Sequence, residues 1–254
     1  MRASEVTIER PTQSANISPA VGPDAPVMEI LRTTRAIRQL APDPLPRELI
    51  RTVIEAATWA PSGGNSQPTN YLVVTDRAKL ASLADLWGRV IDDFQAMAES
   101  AGIEVPDDAS HRRTAEATRY MRDHFAEVPA LVVICDGPTW CRPARGPLAT
   151  LWTMVRRNGL AATLRIARAK SPVARSEAAS YYPAAQNLLI AARAHGLGAC
   201  FTCWHLLAED EFKRVLGIPP EVRTWAIIPI GYPLRPFGPV NRRPVDEVVH
   251  WNTW

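Results

Sequence analysis

Three stretches of this chain concentrate residue types that can hold a planar or phosphorylated ligand. "WAPSGGNSQPTNYLVV", Trp59 to Val74, sets Pro61, Ser62, Gly63, Gly64, Asn65, Gln67 and Pro68 between a helix-like stretch and a strand-like one. Adjacent glycines let backbone N–H groups come close to a ligand, and Ser62, Asn65 and Gln67 add side-chain donors and acceptors. That combination suits the polar edge of a planar heterocycle, and it is also ordinary turn chemistry. "TTRAIR" places Arg35 and Arg38 at the end of a helix or turn, where two guanidiniums can converge on one phosphate dianion. A surface charge pair has the same spacing. "NRRP" brings a second arginine pair, Arg242 and Arg243, which can join the first around one phosphate.

A fourth stretch, "CFTCWH", is a Cys-x-x-Cys followed by His205. It permits a zinc reading and a redox-dithiol reading. Zinc needs two further ligands, and Cys135 and Cys141 do not have a knuckle spacing. A redox pair normally opens a helix, whereas this one falls where a strand is expected. On a strand Cys200 and Cys203 face opposite sides of the sheet, so the expectation is packing cysteines and no metal. Other chemistries lack their motifs: there is no G-x-G-x-x-G after a strand, no P-loop and no G-x-S-x-G elbow.

The chain that must position these residues has 254 residues, 46% hydrophobic and 22% charged, ample for a stable core. Its formal charge of +3 is spread among interspersed acids, which does not point to nucleic acid. Almost all the cations are arginine, the side chain suited to phosphate, although a GC-rich gene gives the same bias. The N-terminus has no apolar h-region, and no run approaches the length of a membrane span. Four cysteines are too few for a disulfide scaffold, so the cytoplasm is the expected compartment.

Residues 1–26 read as a flexible tail and residues 27–254 as a single α+β domain. A short helix is expected from Val27 to about Arg35. A longer one carries Leu49, Ile50, Val53, Ile54 and Ala57 at helical spacing, with Pro46 in its first turn and Pro61 ending it. "NYLVVT" reads as a strand. Asp76 can cap a helix with Leu80, Leu83, Trp87, Val90, Ile91 and Phe94 on one face. A further helix runs to His124, and "VPALVVICD" is a buried strand. Residues 137–176 carry Arg142, Arg145, Arg156, Arg157, Arg165, Arg168, Lys170 and Arg175 and no acid, a basic insert that reads first as an amphipathic solvated face or lid and second as a site for an anionic ligand or a membrane surface. "EAASYYPAAQNLLIAARAHGLG" is a helix ending at Gly196 with His195 in its last turn, "ACFTCW" a strand, "LAEDEFKRVLG" a helix from near Ala208, and "TWAIIPIGYP" a buried strand.

Taken in order, these pieces resemble the FMN-dependent nitroreductase family. The resemblance rests on Thr34-Arg35-Ala36-Ile37-Arg38, the P-S-x-x-N-x-Q-P loop from Pro61 to Pro68 and the "AAQNLLIAARAHGLG" helix leading to a strand. It rests also on the G-Y-P turn at Gly231 to Pro233 and the R-R-P element at Arg242 to Pro244. It covers residues from about 28 to 254 apart from the basic insert, and the closing "VDEVVHWNTW" is similar to actinobacterial members.

The resemblance implies a nitroreductase-like fold, a central, mostly antiparallel sheet flanked by helices in an interlocked homodimer, with FMN at the subunit interface. By carry-over, Arg35, Ala36 and Arg38 with Arg242 or Arg243 hold the FMN phosphate. Pro61, Ser62, Gly63, Asn65 and Gln67 meet the isoalloxazine ring from the other subunit, and Thr202, Cys203 and Trp204 lie beside it. NAD(P)H would give hydride to the flavin, which would reduce a nitroaromatic, a quinone or a related acceptor. The flavin carries the chemistry, so no protein acid or base is obligatory. Two positions depart from the family pattern: Thr34 stands where many members have arginine, and Ala36 where a serine is frequent. A dehalogenase or oxidase of the same fold, oxygen-driven flavin fragmentation and FMN sequestration without turnover are alternatives, as is a zinc-stapled interaction module.

Overall fold

The computed structural model describes residues 24–103, 108–137 and 176–254, and within 138–175 only positions 152, 153, 155–157, 159, 160 and 163. Most of the basic insert and most of the N-terminal tail therefore lie outside the described residues, as does Cys141. Four strands, β1 (Thr69–Val74), β2 (Ala130–Asp136), β3 (Gly198–Ala199) and β4 (Thr224–Gly231), form a sheet of order β1-β2-β4-β3. Each neighbouring pair is antiparallel.

β2 is buried along its whole length, and its side chains alternate between two cores. Ala130, Val132 and Ile134 join Ala226, Ile228 and Ile230 of β4 under α2 (Arg47–Thr58) and α5 (Tyr182–Ala194). Leu131, Val133 and Cys135 face the other way, with Ile227, toward α3 (Arg77–Ser100) and α6 (Glu209–Leu216). Each fully buried Leu or Ile contributes about 1.5–3 kcal/mol, so both helical layers are held chiefly by apolar burial against this strand pair. The Asp76 carboxylate accepts the Lys79 N–H at 2.9 Å and starts α3 as expected. α4 (Ala109–Asp123) follows, also as expected. Among the described residues no helix is long and apolar enough to cross a membrane.

Four local expectations need correction. The first helix, α1 (Val27–Thr33), stops before the arginine pair. The Thr33 and Thr34 hydroxyls each donate to a last-turn carbonyl, of Glu29 and Ile30, at 2.7 Å, and Thr34 is already extended. Arg35 and Arg38 therefore lie on an extended segment, not at a helix end. "ACFTCW" is not one continuous strand: regular pairing covers Gly198–Ala199 and resumes in the same register at a Thr202–Ile227 bridge. The Cys200 N–H donates to the Pro229 carbonyl at 3.2 Å, but Pro229 has no N–H to return, so the ladder breaks there. α5 starts only at Tyr182, because Pro183 belongs in a first turn. Phe94 is 37% exposed, at the rim of the α3 apolar face, where its ring centroid lies 4.7 Å from that of Trp204.

Candidate functional site

The extended segment after α1 lies across the edge made by β3 and the end of β4. Ile37 N–H donates to Ala199 O at 2.9 Å, Ala41 N–H to Tyr232 O at 2.8 Å, and Leu234 N–H to Gln39 O at 3.0 Å. Gly198 makes this approach possible: a Cβ there would sit 2.7 Å from Ile37 Cγ2 and 2.9 Å from Leu40 Cδ2. Held this way, Arg35, Ala36, Arg38 and Gln39 line a cleft of about 240 Å³. Its opposite walls are Arg113, Glu116 and Ala117 of α4, and Arg235 and Pro236 from the turn after β4. Burial pushes the Cys200 thiol pKa up, and the nearby Arg38 charge pulls against that rise.

The Pro61–Pro68 loop is shaped by three demands on its backbone, at Gly64, Asn65 and Gln67. Gly64, at φ 59°, closes a 3₁₀ turn over Gly63–Asn65, and no atom lies within 4 Å of a Cβ built there, so conformation alone requires the glycine. Asn65 and Gln67 follow at φ 51° and 47°, left-handed values that cost a side chain on the order of 1 kcal/mol or more each. Gln67 N–H donates to Ser62 Oγ at 3.0 Å, and Gly63 N–H donates to Ser180 Oγ at 3.1 Å. Ser62 and Gln67 line a small cavity of about 120 Å³ with Thr58, Thr69, Tyr71 and Ser180. The Tyr71 hydroxyl is buried there with no hydrogen-bond partner among the described residues, and burial raises its pKa to about 12, so it stays a neutral donor.

Thr202 exchanges backbone hydrogen bonds with Ile227 at 2.9 and 3.1 Å, and Trp204 N–H donates to Thr202 Oγ1 at 3.4 Å. Cys203 Sγ lies 3.3 Å from Trp225 O, on the α2–α5 side, whereas Cys200 is buried in the α3–α6 layer. The two thiols thus face opposite layers. Among the described residues no three His, Cys, Asp or Glu side chains are grouped as a metal site.

Within one chain the structure brings Arg35, Ala36 and Arg38 to one cleft, and Ser62 and Gln67 to another cavity that shares none of its lining residues. Pro61, Gly63 and Asn65 are exposed on the loop. Arg242 and Arg243 are exposed and line neither cavity, with Arg242 Nη1 donating to the neighbouring Asn241 carbonyl at 2.8 Å. Arg113, Glu116 and Arg235 in the cleft lining and Ser180 beside the loop stand outside the residues that the sequence motifs single out. Arg235 stands just beyond the G-Y-P turn, which was a usable signal. Arg113 sits in a polar helix with no local motif.

The nitroreductase family model matches residues 31–232, which span both the arginine segment and the loop. The chain belongs to the nitroreductase family. A relative named as a putative NADH dehydrogenase/NAD(P)H nitroreductase, from Methanothermobacter thermautotrophicus, is 24% identical over 230 residues, covering 90% of this chain and 87% of that protein. A 4-nitrobenzoate reductase from a Nocardioides species is 27% identical over 235 residues and covers 87% of each chain. Among solved structures, an NADPH:FMN oxidoreductase from Vibrio harveyi in complex with NAD+ aligns at TM-score 0.59 and 21% identity, over 90% of this chain and 77% of that one. At that identity the likeness is one of fold, and the nitroreductase-like α+β fold is the architecture described above.

Proposed function

We propose that this nitroreductase-family chain is an NAD(P)H-dependent FMN oxidoreductase that works as a homodimer on nitroaromatics, quinones or related acceptors. One observation carries the reading: Arg35 and Arg38 open onto a single cleft in which neither has a carboxylate partner among the described residues. Such a pair fits the phosphate dianion of FMN. The names of the two relatives, an NAD(P)H nitroreductase and a 4-nitrobenzoate reductase, support the donor and the class of acceptor. The FMN oxidoreductase of the same fold supports the cofactor.

In this reading Arg35 and Arg38 bind the phosphate beside Ala36, whose methyl group offers no hydrogen bond. Arg242 and Arg243, on an exposed C-terminal arm, are free to add charge to that site or to the neighbouring copy's. Pro61, Ser62, Gly63, Asn65 and Gln67 present the polar edge that orients the flavin ring, and the left-handed backbone at Asn65 and Gln67 preorganises that edge. Thr202, Cys203 and Trp204 flank the ring, with Trp204 and Phe94 excluding water. When bound, FMN supplies the redox chemistry, taking two electrons from NAD(P)H and passing them to the acceptor.

The separation of the arginine cleft from the loop supports a site completed by a second copy. So do the exposed apolar side chains Met28 (72%), Trp59 (74%), Leu207 (65%) and Trp251 (83%), which a partner would cover. The visible spectrum of the purified, desalted protein, with the released chromophore identified by mass, tests the reading. About one FMN per chain that NADH or NADPH bleaches supports it. A colourless protein that takes up no added FMN overturns it.

A further inference from the structure

We infer that Arg113 of α4 and Arg235 of the turn after β4 complete, with Arg35 and Arg38, a four-guanidinium cage for a terminal phosphate monoester. For the ligand's identity, FMN, this rests on the function proposed above. The new element is the assignment of Arg113 and Arg235, which no family motif in the sequence marks.

The argument begins with pairing. While Arg77, Arg193 and Arg242 donate to carbonyl or hydroxyl oxygens, several other arginines of this protein meet carboxylates, Arg32 with Glu29 at 2.6 Å, Arg89 with Glu211 at 3.0 Å, and Arg223 with Asp136 at 2.7 Å and Glu177 at 2.8 Å. The arginines of the cleft do not. Arg35, Arg38, Arg113 and Arg235 line one space of about 240 Å³ and none has an ion pair among the described residues, although Glu116 lines the same space. Like charges so gathered repel one another, and among the described residues only Glu116 brings an opposing charge to the cleft lining. An anion converts that repulsion into attraction, and guanidinium forks match phosphate oxygens.

The geometry is built, not incidental. Three separate elements deliver the four side chains, and the Gly198 contact with Ile37 and Leu40 fixes the first of them against the sheet. Thr34 and Ala36 leave the local arginine motif short of an arginine and a serine that the family often has there. Arg113 and Arg235 replace those contacts from elsewhere in the fold. Because all four come from one chain, the phosphate end of the ligand is bound without the second copy, whereas the ring end needs it. Glu116, one helical turn from Arg113, opposes the anion and holds its affinity down.

The test titrates apo-protein with FMN and, separately, with riboflavin, which lacks the phosphate, following quenching of flavin fluorescence. Wild type is compared with Arg113→Gln, Arg235→Gln and Glu116→Gln, all changes at exposed positions where folding is not at stake. The expected result is an FMN Kd raised about tenfold in each arginine variant, equivalent to about 1.4 kcal/mol, and lowered in Glu116→Gln, with riboflavin affinity within about twofold of wild type. A wild type that binds FMN while Arg113→Gln and Arg235→Gln bind it equally well overturns the cage and leaves the proposed function standing. Equal weakening toward FMN and riboflavin also overturns it, because the arginines would then be serving the fold. A wild type that binds neither flavin removes the proposed function. Calorimetry with inorganic pyrophosphate then judges the cage alone: binding lost in the arginine variants supports it, and no binding to wild type sinks it.

Discussion

The Gly63 N–H donates to Ser180 Oγ at 3.1 Å, joining two residues 117 positions apart. Thr69 Oγ1 donates to the Ser180 carbonyl at 3.2 Å, so both groups of this serine hold the loop region at the turn that opens α5. Ser180→Ala removes the hydroxyl contact and leaves the carbonyl one. One lost hydrogen bond of this kind costs about 1 kcal/mol, so FMN is expected to bind several-fold more weakly with little change in Tm. Unchanged FMN affinity in a flavin titration would show that the loop does not depend on this tether.

His205 predicts how stability responds to acid. It is 2% exposed, and Nε2 lies 3.0 Å from Thr224 Oγ1, whose own proton goes to Glu209 Oε1 at 2.8 Å. With that proton committed, His205 carries its hydrogen on Nε2, and Nδ1 is a buried lone pair without a partner among the described residues. Burial lowers its pKa from 6.5 to about 4, against a smaller upward pull from Glu209. The unfolded chain therefore binds the proton more readily, so this contribution is intact above pH 6.5 and is lost as the pH falls toward 4. The loss amounts to about 3 kcal/mol. Urea unfolding from pH 7 to pH 4 should show it, and His205→Gln should flatten that part of the profile. A variant with the wild-type slope would clear this histidine.

Asp136, at the end of β2, is 4% exposed. Burial pushes its carboxyl up, but hydrogen bonds from Trp225 Nε1 at 2.5 Å and Arg223 Nε at 2.7 Å hold it below the usual range. Asp136→Ala leaves those donors facing a buried gap and should cost about 3 kcal/mol by chemical denaturation. Arg223→Ala should cost less, since that side chain is half-exposed. Equal losses would mean that the pair acts as a fully buried one.

Gly198→Ala places a methyl group 2.7 Å from Ile37 Cγ2. The segment must shift outward, at a cost of about 1–3 kcal/mol in stability. Arg35 and Arg38 ride on that segment, so FMN affinity should fall while riboflavin affinity falls less. A variant as stable as wild type with normal FMN binding would show that Ile37 and Leu40 yield freely.

Elements with a strong periodic signal are legible in the sequence alone. The apolar spacing of Leu49, Ile50, Val53 and Ala57 dictates α2, and the unbroken run of β2 dictates a strand buried on both faces, because burial is decided by patterns only a few residues long. The Pro61–Pro68 loop is legible for the same reason, since glycine and proline act on their own backbone. Tertiary contact decided what local pattern cannot carry. Pro229, far from Cys200 in sequence, breaks the "ACFTCW" strand, because a missing N–H on one strand is felt only by its neighbour. The cleft gathers Arg35, Arg38, Arg113 and Arg235 from three distant parts of the chain. A lone arginine carries no local mark of the distant residues it will face, so only the folded sheet edge and the approach of α4 could bring those guanidiniums to one place.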